Sequence, residues 1–335
     1  MSRIAIIGLG LIGGSMGLAI KAAGHKDVEL VGYDESGRVR RAAKKAGAVD
    51  EVEGSLGNAV SGAGLVVVAV PPVQIVNVFQ AMGSHLSEGA AVTDVASTKR
   101  LVMEWAEAYL PKYVSFVGGH PMAGKTEQGI DNAEAGLFQG APYAVVPSST
   151  APDTAVRSVL GMVETVGAKE RFMAPDEHDD LVAAVSHMPI LASNALFTML
   201  RSTESWADFG KIAGPAYRDM TRLVDGDPQM SAEIALTNKE RMQYWLDRYI
   251  VELSRYRDLL DQDEETILNE FADANVQRFR YLQGDDLDDA PPMTEMPDKG
   301  SHVGGLFMSP KLYDKMREMM EKSDETIEEA RRNKR

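Results

Sequence analysis

The chain contains no cysteine. That absence excludes disulfide scaffolds, thiolate nucleophiles and cysteine-ligated zinc, and it agrees with a reducing compartment. Basic side chains are in deficit: 35 Lys and Arg against 50 Asp and Glu give a formal net charge of −15. A chain so acidic is a poor ligand for nucleic acid or anionic membranes, and an anionic substrate needs individually placed cations. No apolar stretch long enough to span a bilayer, about 18 residues, runs free of charge or punctuation. Met1-Ser2-Arg3 leads straight into Ile4-Ala5-Ile6-Ile7 and Gly8, too short an apolar run for a signal peptide. The expectation is a soluble, cytoplasmic protein without a membrane span. There are no internal repeats, and no His/Asp/Glu cluster has metal-ligand spacing, so no catalytic metal is expected.

What remains is ordinary globular material. The 335 residues, 44% apolar and 25% charged, suggest two domains and a core that needs no staples. Residues 4–7 read as a buried strand. Gly8-Leu9-Gly10-Leu11-Ile12-Gly13-Gly14-Ser15 follows and opens a helix to about Lys21. Further strands are predicted at 28–33, 65–70, 90–93, 114–117, 143–146 and 168–173, with helices at 38–46, 73–82 and between the last two strands. This alternation marks a Rossmann-type, doubly wound parallel sheet of the α/β class. At Ala174-Pro175-Asp176-Glu177 a helix-start signal changes the texture, and strand candidates become rare from there to about Leu282. The predicted organisation is a dinucleotide-binding domain over 1–174 and an all-helical substrate and dimerisation domain over 175–283. A short charged extension over 284–335 would hold an acidic linker and a helix at 311–334.

Gly8-x-Gly10-x-x-Gly13 is a weak signal alone and gains meaning from the strand before it and the helix after it. The first glycine permits the tight turn, the second lets a pyrophosphate approach the backbone, and the third lets helix and strand pack. The helix start at Leu11 and Ile12 supplies free N–H groups to phosphate. Val70 and Pro71, ending the third predicted strand, complete the cofactor edge. Asp34 closes the second strand, where a carboxylate accepts from a ribose diol and disfavours a 2′-phosphate, so NAD is expected over NADP; the alternative for Asp34 is a simple turn residue.

Tyr113 to Val117 reads as a short apolar run, followed by Gly118-Gly119-His120-Pro121-Met122-Ala123-Gly124, which places His120 in a stiffened loop. Imidazole titrates near pH ~6.5, so His120 is the candidate general base. In Asp94-Val95-Ala96-Ser97-Thr98-Lys99, Ser97 can bond a substrate hydroxyl or a nicotinamide amide. Its alternative, shared with Thr98, is a helix cap; Lys99 either holds an anion or caps the helix. His187, in Ser186-His187-Met188-Pro189, is either a satisfied buried residue or a second histidine facing the same cleft. Arg222, in Arg218-Asp219-Met220-Thr221-Arg222, is either a carboxylate clamp or one half of an ion pair with Asp219 or Asp225. His25, His85, His178 and His302 are assigned no role.

Taken in order over about residues 1–280, these motifs resemble the prephenate/arogenate dehydrogenase family of tyrosine biosynthesis. The resemblance implies oxidation of a ring hydroxyl with decarboxylation. His120 would take the hydroxyl proton and Ser97 would hold the hydroxyl, His120 and nicotinamide in register. Arg222 would clamp a substrate carboxylate, His187 would line the pocket, and the molecule would be a homodimer through its helical domain. Either Lys125 is an insertion and Glu127 is the pocket acid, or Thr126 holds the acid's place. Ala96 stands where many relatives have glycine, and Ser231 where relatives often carry tryptophan. Residues 284–335 do not look like an amino-acid-binding regulatory domain. Prephenate is the favoured substrate and arogenate the alternative. The rivals outside this family are a β-hydroxy-acid dehydrogenase, which would need its own catalytic residue where His187 stands, and a catalytically silent NAD-binding sensor.

Overall fold

The computed structural model describes residues 2–125 and 127–283. The acidic linker, the helix expected at 311–334 and Thr126 lie outside the described residues. The first part runs β1 (Ser2–Ile7), α1 (Leu11–Ala22), β2 (Val28–Tyr33), α2 (Gly37–Ala46), β3 (Glu51–Val52), α3 (Leu56–Val60), β4 (Leu65–Val68), α4 (Ile75–Met82), β5 (Ala91–Asp94), α5 (Arg100–Tyr109), β6 (Ser115–Pro121), β7 (Pro142–Pro147), α6 (Asp153–Thr165) and β8 (Lys169–Phe172). The eight strands form one sheet in the order β3-β2-β1-β4-β5-β6-β7-β8. β3 and α3 were not foreseen, being too short to show a periodicity.

Successive side chains of a strand point to opposite faces, and both faces here are apolar. Ile6, Leu65 and Val67 join Met16 of α1 and Val159 of α6 in one core. Ile7, Val66 and Val68 join Phe79 of α4 and Val102 of α5 in the other. This doubly wound arrangement matches the expected class, with one difference. Neighbouring strands are parallel from β3 through β6, but β7 pairs antiparallel with β6. Among the described residues, the connection from 122 to 141 contains only a 3-10 turn at Ile130–Asn132. Without a crossover helix, β7 returns alongside β6 in the opposite direction.

Beyond β8 the described chain is helical. It runs α7 (Pro175–Val182), α8 (Met188–Arg201), α9 (Trp206–Ile212), α10 (Pro215–Thr221), α11 (Pro228–Thr237), α12 (Lys239–Leu259) and α13 (Glu264–Gln283). The helix start read at Pro175 is as expected: Ala174 N–H donates to the Glu177 carboxylate at 3.2 Å. Two compact units form, to Asp247 and from Arg248 on, and their boundary falls inside α12.

Between α7 and α8 the backbone widens into a π-helical turn, Ala183–His187. Pro189 follows; it has no N–H to bond the carbonyl four residues back, and such turns recur at functional sites. The proline does not break the run. Pro175–Arg201 is one continuous helical path of 27 residues, long and apolar enough by length and composition to cross a membrane, with only a minority of its apolar window buried. This run departs from the expectation that no such stretch exists: 182–200 contain no Asp, Glu, Lys or Arg, and Pro189 falls in the first turn of α8, where proline is tolerated.

Candidate active site

The glycine loop is shaped for a ligand. Gly8 has φ +91°, and a Cβ there would lie 2.3 Å from the Ala69 carbonyl oxygen. A Cβ on Gly13 would lie 2.0 Å from the Gly8 oxygen, whereas one on Gly10 would meet nothing within 4 Å. The first and third glycines therefore close the turn, and the second faces open space. No side chain caps the α1 N-terminus, where Leu11 and Ile12 begin the helix, and no acid sits in its first turn. Asp34 directly follows β2 and ties the loop down: its carboxylate accepts Leu9 N–H at 3.0 Å and Ser36 N–H at 2.9 Å. A carboxylate has about four lone-pair sites, so capacity remains for a ribose diol. Val70 and Pro71 follow β4, half-buried and exposed. The adjacent Val73 N–H donates at 3.3 Å to Glu233, a buried carboxylate on α11 that also takes the Gln229 amide at 2.9 Å. These residues fit a dinucleotide.

His120 does not sit in a loop, as its glycine-rich surroundings suggested. It lies on β6 opposite Ala144, buried to 7% exposure. The glycines serve close approach: a Cβ on Gly119 would stand 2.5 Å from the Asp94 carbonyl oxygen. Its imidazole Nδ1 is 2.9 Å from Nε2 of His178, whose Nδ1 is 2.8 Å from the Asp179 carboxylate. Burial, then the neighbouring His178, Lys99 and His187, hold the His120 pKa well below its ordinary 6.5. His187, at the end of the π-helical turn, is fully buried, and burial pushes it down to about 4. Its Nδ1 meets the Asn238 amide at 3.2 Å, while its Nε2 is buried without a partner among the described residues.

Beneath His120, Lys99 and Asp94 form a buried ion pair. Asp94 also accepts Ala96 N–H at 2.9 Å and Gly119 N–H at 3.0 Å, which fastens the loop after β5 to β6. Lys99 thus stands at the N-cap position of α5, with its ammonium spent on the protein's own Asp94 rather than on a cap bond. Nor do Ser97 and Thr98 cap α5. The carboxylate of Asp179 does so from α7, accepting Lys99 N–H at 2.6 Å and Arg100 N–H at 3.0 Å. Thr98 instead bonds Thr237 of α11 at 3.1 Å.

Two family models cover most of this architecture. Residues 16–171 match the nucleotide-binding domain of prephenate dehydrogenase, and residues 174–273 match its dimerization domain. This chain belongs to the prephenate dehydrogenase family. A relative described as prephenate dehydrogenase, from Bacillus subtilis, is 33% identical over 278 residues, 82% of this chain and 75% of its own. The structure of prephenate dehydrogenase from A. aeolicus in complex with hydroxyphenyl propionate and NAD+ superposes with a TM-score of 0.78 at 27% identity, over 84% of this chain and 98% of that one. Synechocystis arogenate dehydrogenase gives a TM-score of 0.72 at 29% identity, over 83% and 99%.

Within this family framework the remaining candidates separate. Ser97 is half-buried in the loop between β5 and α5. Arg222 is exposed in a 3-10 turn after α10 and makes no ion pair with Asp219 or Asp225 among the described residues. Lys125 is paired with Glu134 at 3.1 Å and is no unpartnered cation. Glu127 is exposed. The Ser231 hydroxyl bonds back to the Asp227 carbonyl at 3.0 Å. Sequence reasoning missed His178, Asp179, Asn238 and Glu233. The one available signal was the adjacent His178-Asp179 pair, passed over because its surroundings, Pro175-Asp176-Glu177 and Asp180, look solvated. In the fold His178 is fully buried and Asp179 nearly so, at 2% exposure.

Proposed function

We propose that this chain is an NAD-dependent prephenate dehydrogenase, converting prephenate to 4-hydroxyphenylpyruvate and carbon dioxide in tyrosine biosynthesis. The carrying observation is His120: a buried imidazole, held neutral and fixed at one nitrogen, in a family member with an open glycine cradle. NAD+, when bound, supplies the hydride acceptor. His120 accepts the proton of the ring C4 hydroxyl as the C4–H bond breaks. Oxidation at C4 lets the C1 carboxylate leave as carbon dioxide, and aromatisation makes the step effectively irreversible. The protein then mainly has to position and deprotonate.

Ser97 bonds the substrate hydroxyl. Arg222, with no competing ion pair among the described residues, clamps a substrate carboxylate. His187 lines the pocket, and Lys125 and Glu127 stand at its rim. Gly8, Gly10, Leu11, Ile12, Gly13, Asp34, Val70 and Pro71 hold the cofactor. Two domains meeting near residue 174 accord with this reading, since β8 ends at Phe172 and α7 starts at Pro175. A homodimer is part of it, supported by the dimerization-domain match and by exposed apolar side chains at Val185, Met199, Ile212 and Met220.

The test is NADH formation by purified protein with prephenate and arogenate in parallel, repeated with NADP+. Turnover of prephenate with NAD+ is expected, and His120→Asn should lose about 10²–10⁴-fold in rate while still binding NAD+. Turnover of arogenate alone moves the reading to arogenate dehydrogenase, which the Synechocystis likeness favours. Silence with both substrates despite NAD+ binding overturns the enzymatic reading.

A further inference from the structure

Hydrogen-bond donors and acceptors around His120 can be assigned one by one, starting from a group with no freedom. Burial alone would raise the Asp179 carboxyl, but the bond from His178 and the backbone N–H groups of Arg100 and Lys99 outweigh it and hold it low. Asp179 is therefore an anion and only accepts. The proton between it and His178, 2.8 Å apart, belongs to His178 Nδ1. Burial keeps His178 neutral, so its Nε2 carries a lone pair. That lone pair faces His120 Nδ1 at 2.9 Å, which must then carry the proton between them. A neutral His120 is left with a bare Nε2, the nitrogen turned away from His178.

The same hub sets the other imidazole. A backbone carbonyl only accepts, so the Asn238 atom 2.7 Å from the Asp179 carbonyl oxygen is the amide nitrogen. Its second N–H points at His187 Nδ1. His187 then carries its proton on Nε2, the buried atom without a partner among the described residues.

We propose that His178 and Asp179 are positioning residues that lock His120 in the tautomer able to accept a proton at Nε2, while Asn238 locks His187 in the opposite, donor tautomer. The site thereby offers one acceptor nitrogen and one donor nitrogen from two chemically identical rings. An alcohol with a nearby carbonyl, carboxamide or second oxygen is the ligand chemistry that uses both. Asp179 serves two ends at once: its carboxylate caps α5, so the loop carrying Ser97 and the ring of His120 are held from a single side chain. The anion also stabilises the imidazolium that forms when His120 takes a proton.

This inference rests on the reading of His120 as base, and its test separates the two. In His178→Gln the amide oxygen still accepts from His120 Nδ1, so the loss in kcat should be about tenfold, against about 10²–10⁴-fold in His178→Leu, which removes that acceptor; the KM for NAD+ should change little in either. In Asp179→Asn the Oδ1 position faces two donors, Lys99 N–H and His178 Nδ1–H, so the amide oxygen occupies it and the NH2 group falls at the Oδ2 position, opposite Arg100 N–H. The tautomers should therefore hold in D179N, while kcat falls by about tenfold with the lost charge. Nitrogen NMR of isotope-labelled histidines in the full-length protein reads the tautomers without turnover: His120 should be protonated at Nδ1 in the parent, His178→Gln and D179N, and at a mixture of both nitrogens in His178→Leu. A parent His120 protonated at Nε2, or a His178→Leu enzyme within about threefold of the parent kcat, overturns the lock. Equal losses in the two His178 variants overturn it as well. If the tautomers are as expected but no cyclohexadienyl acid is turned over, the lock stands and the functional reading falls.

Discussion

His120 shows what burial does to a base. An ordinary imidazole is half-protonated near pH 6.5, and His120 loses that proton more readily because desolvation and the neighbouring His178, Lys99 and His187 all disfavour its cationic form. Asp94 is neutralised by Lys99, and Asp179 reaches His120 only through His178 while also binding the α5 N-terminus. The sign follows directly. A base with a lowered pKa is competent above that pKa and fails as pH falls through it. The acid limb of log kcat/KM, which reports the free enzyme, is therefore expected below 6.5, with a plateau across neutrality. A limb at or above 6.5 would show that His120 is not the titrating base. Little of this was legible beforehand. His120 stood out because histidine is scarce and its surroundings are rich in glycine, but the residues that tune it come from the loop before α5, from α7 and from the π-helical turn that follows it.

At the scale of elements, the β1–α1 turn separates packing from binding. Gly13→Ala drives a Cβ into the Gly8 carbonyl at 2.0 Å, and overpacking of this kind costs about 1–3 kcal/mol. Gly10→Ala meets no protein atom within 4 Å, and with φ −73° it demands no left-handed backbone. Gly13→Ala should thus lower the melting temperature. Gly10→Ala should leave it unchanged and weaken NAD+ binding alone, because its methyl occupies the space where a pyrophosphate would approach. Calorimetry paired with NAD+ titration checks both; a normal NAD+ affinity in Gly10→Ala would remove the cradle from that loop. This element was readable because one short stretch contains its own strand, turn and helix start. Only the first part of β6 was: 115–117 fall within the strand expected at 114–117, whereas Gly118 and Gly119 look like a loop until the partner strand β7 and the tight approach of Asp94 show why side chains are absent there.

For the whole molecule, the composition and the helical half pull in different directions. A charge of −15 keeps copies apart in general, yet Val185 and Ile212 are 70% and 81% exposed on elements matched to the family's dimerization domain. Buried apolar area of about 25 cal/mol per Å² favours covering such side chains. Placing a carboxylate in that surface adds like charge where apolar contact is needed. Ile212→Asp is expected to shift the protein from dimer toward monomer in analytical ultracentrifugation. The same change in a protein already monomeric would leave the mass untouched and refute the dimer. Under the proposed dimer, the apolar Pro175–Arg201 run has a place as a helix whose uncovered flank would face a second copy.

Taken by itself, the amino-acid sequence determined the doubly wound α/β half, the glycine cradle with Asp34, the helical half after Pro175 and the choice of His120. All of these depend on spacing within a few residues, through strand and helix periodicity, turn chemistry and local dipoles. Only the tertiary structure decided the antiparallel return of β7, the Lys99–Asp94 pair under the site, and the chain from Asp179 through His178 to His120. Those contacts join residues separated by tens of positions, and proton placement among them follows from which atoms end up within hydrogen-bond distance in a buried space. No local pattern encodes that distance.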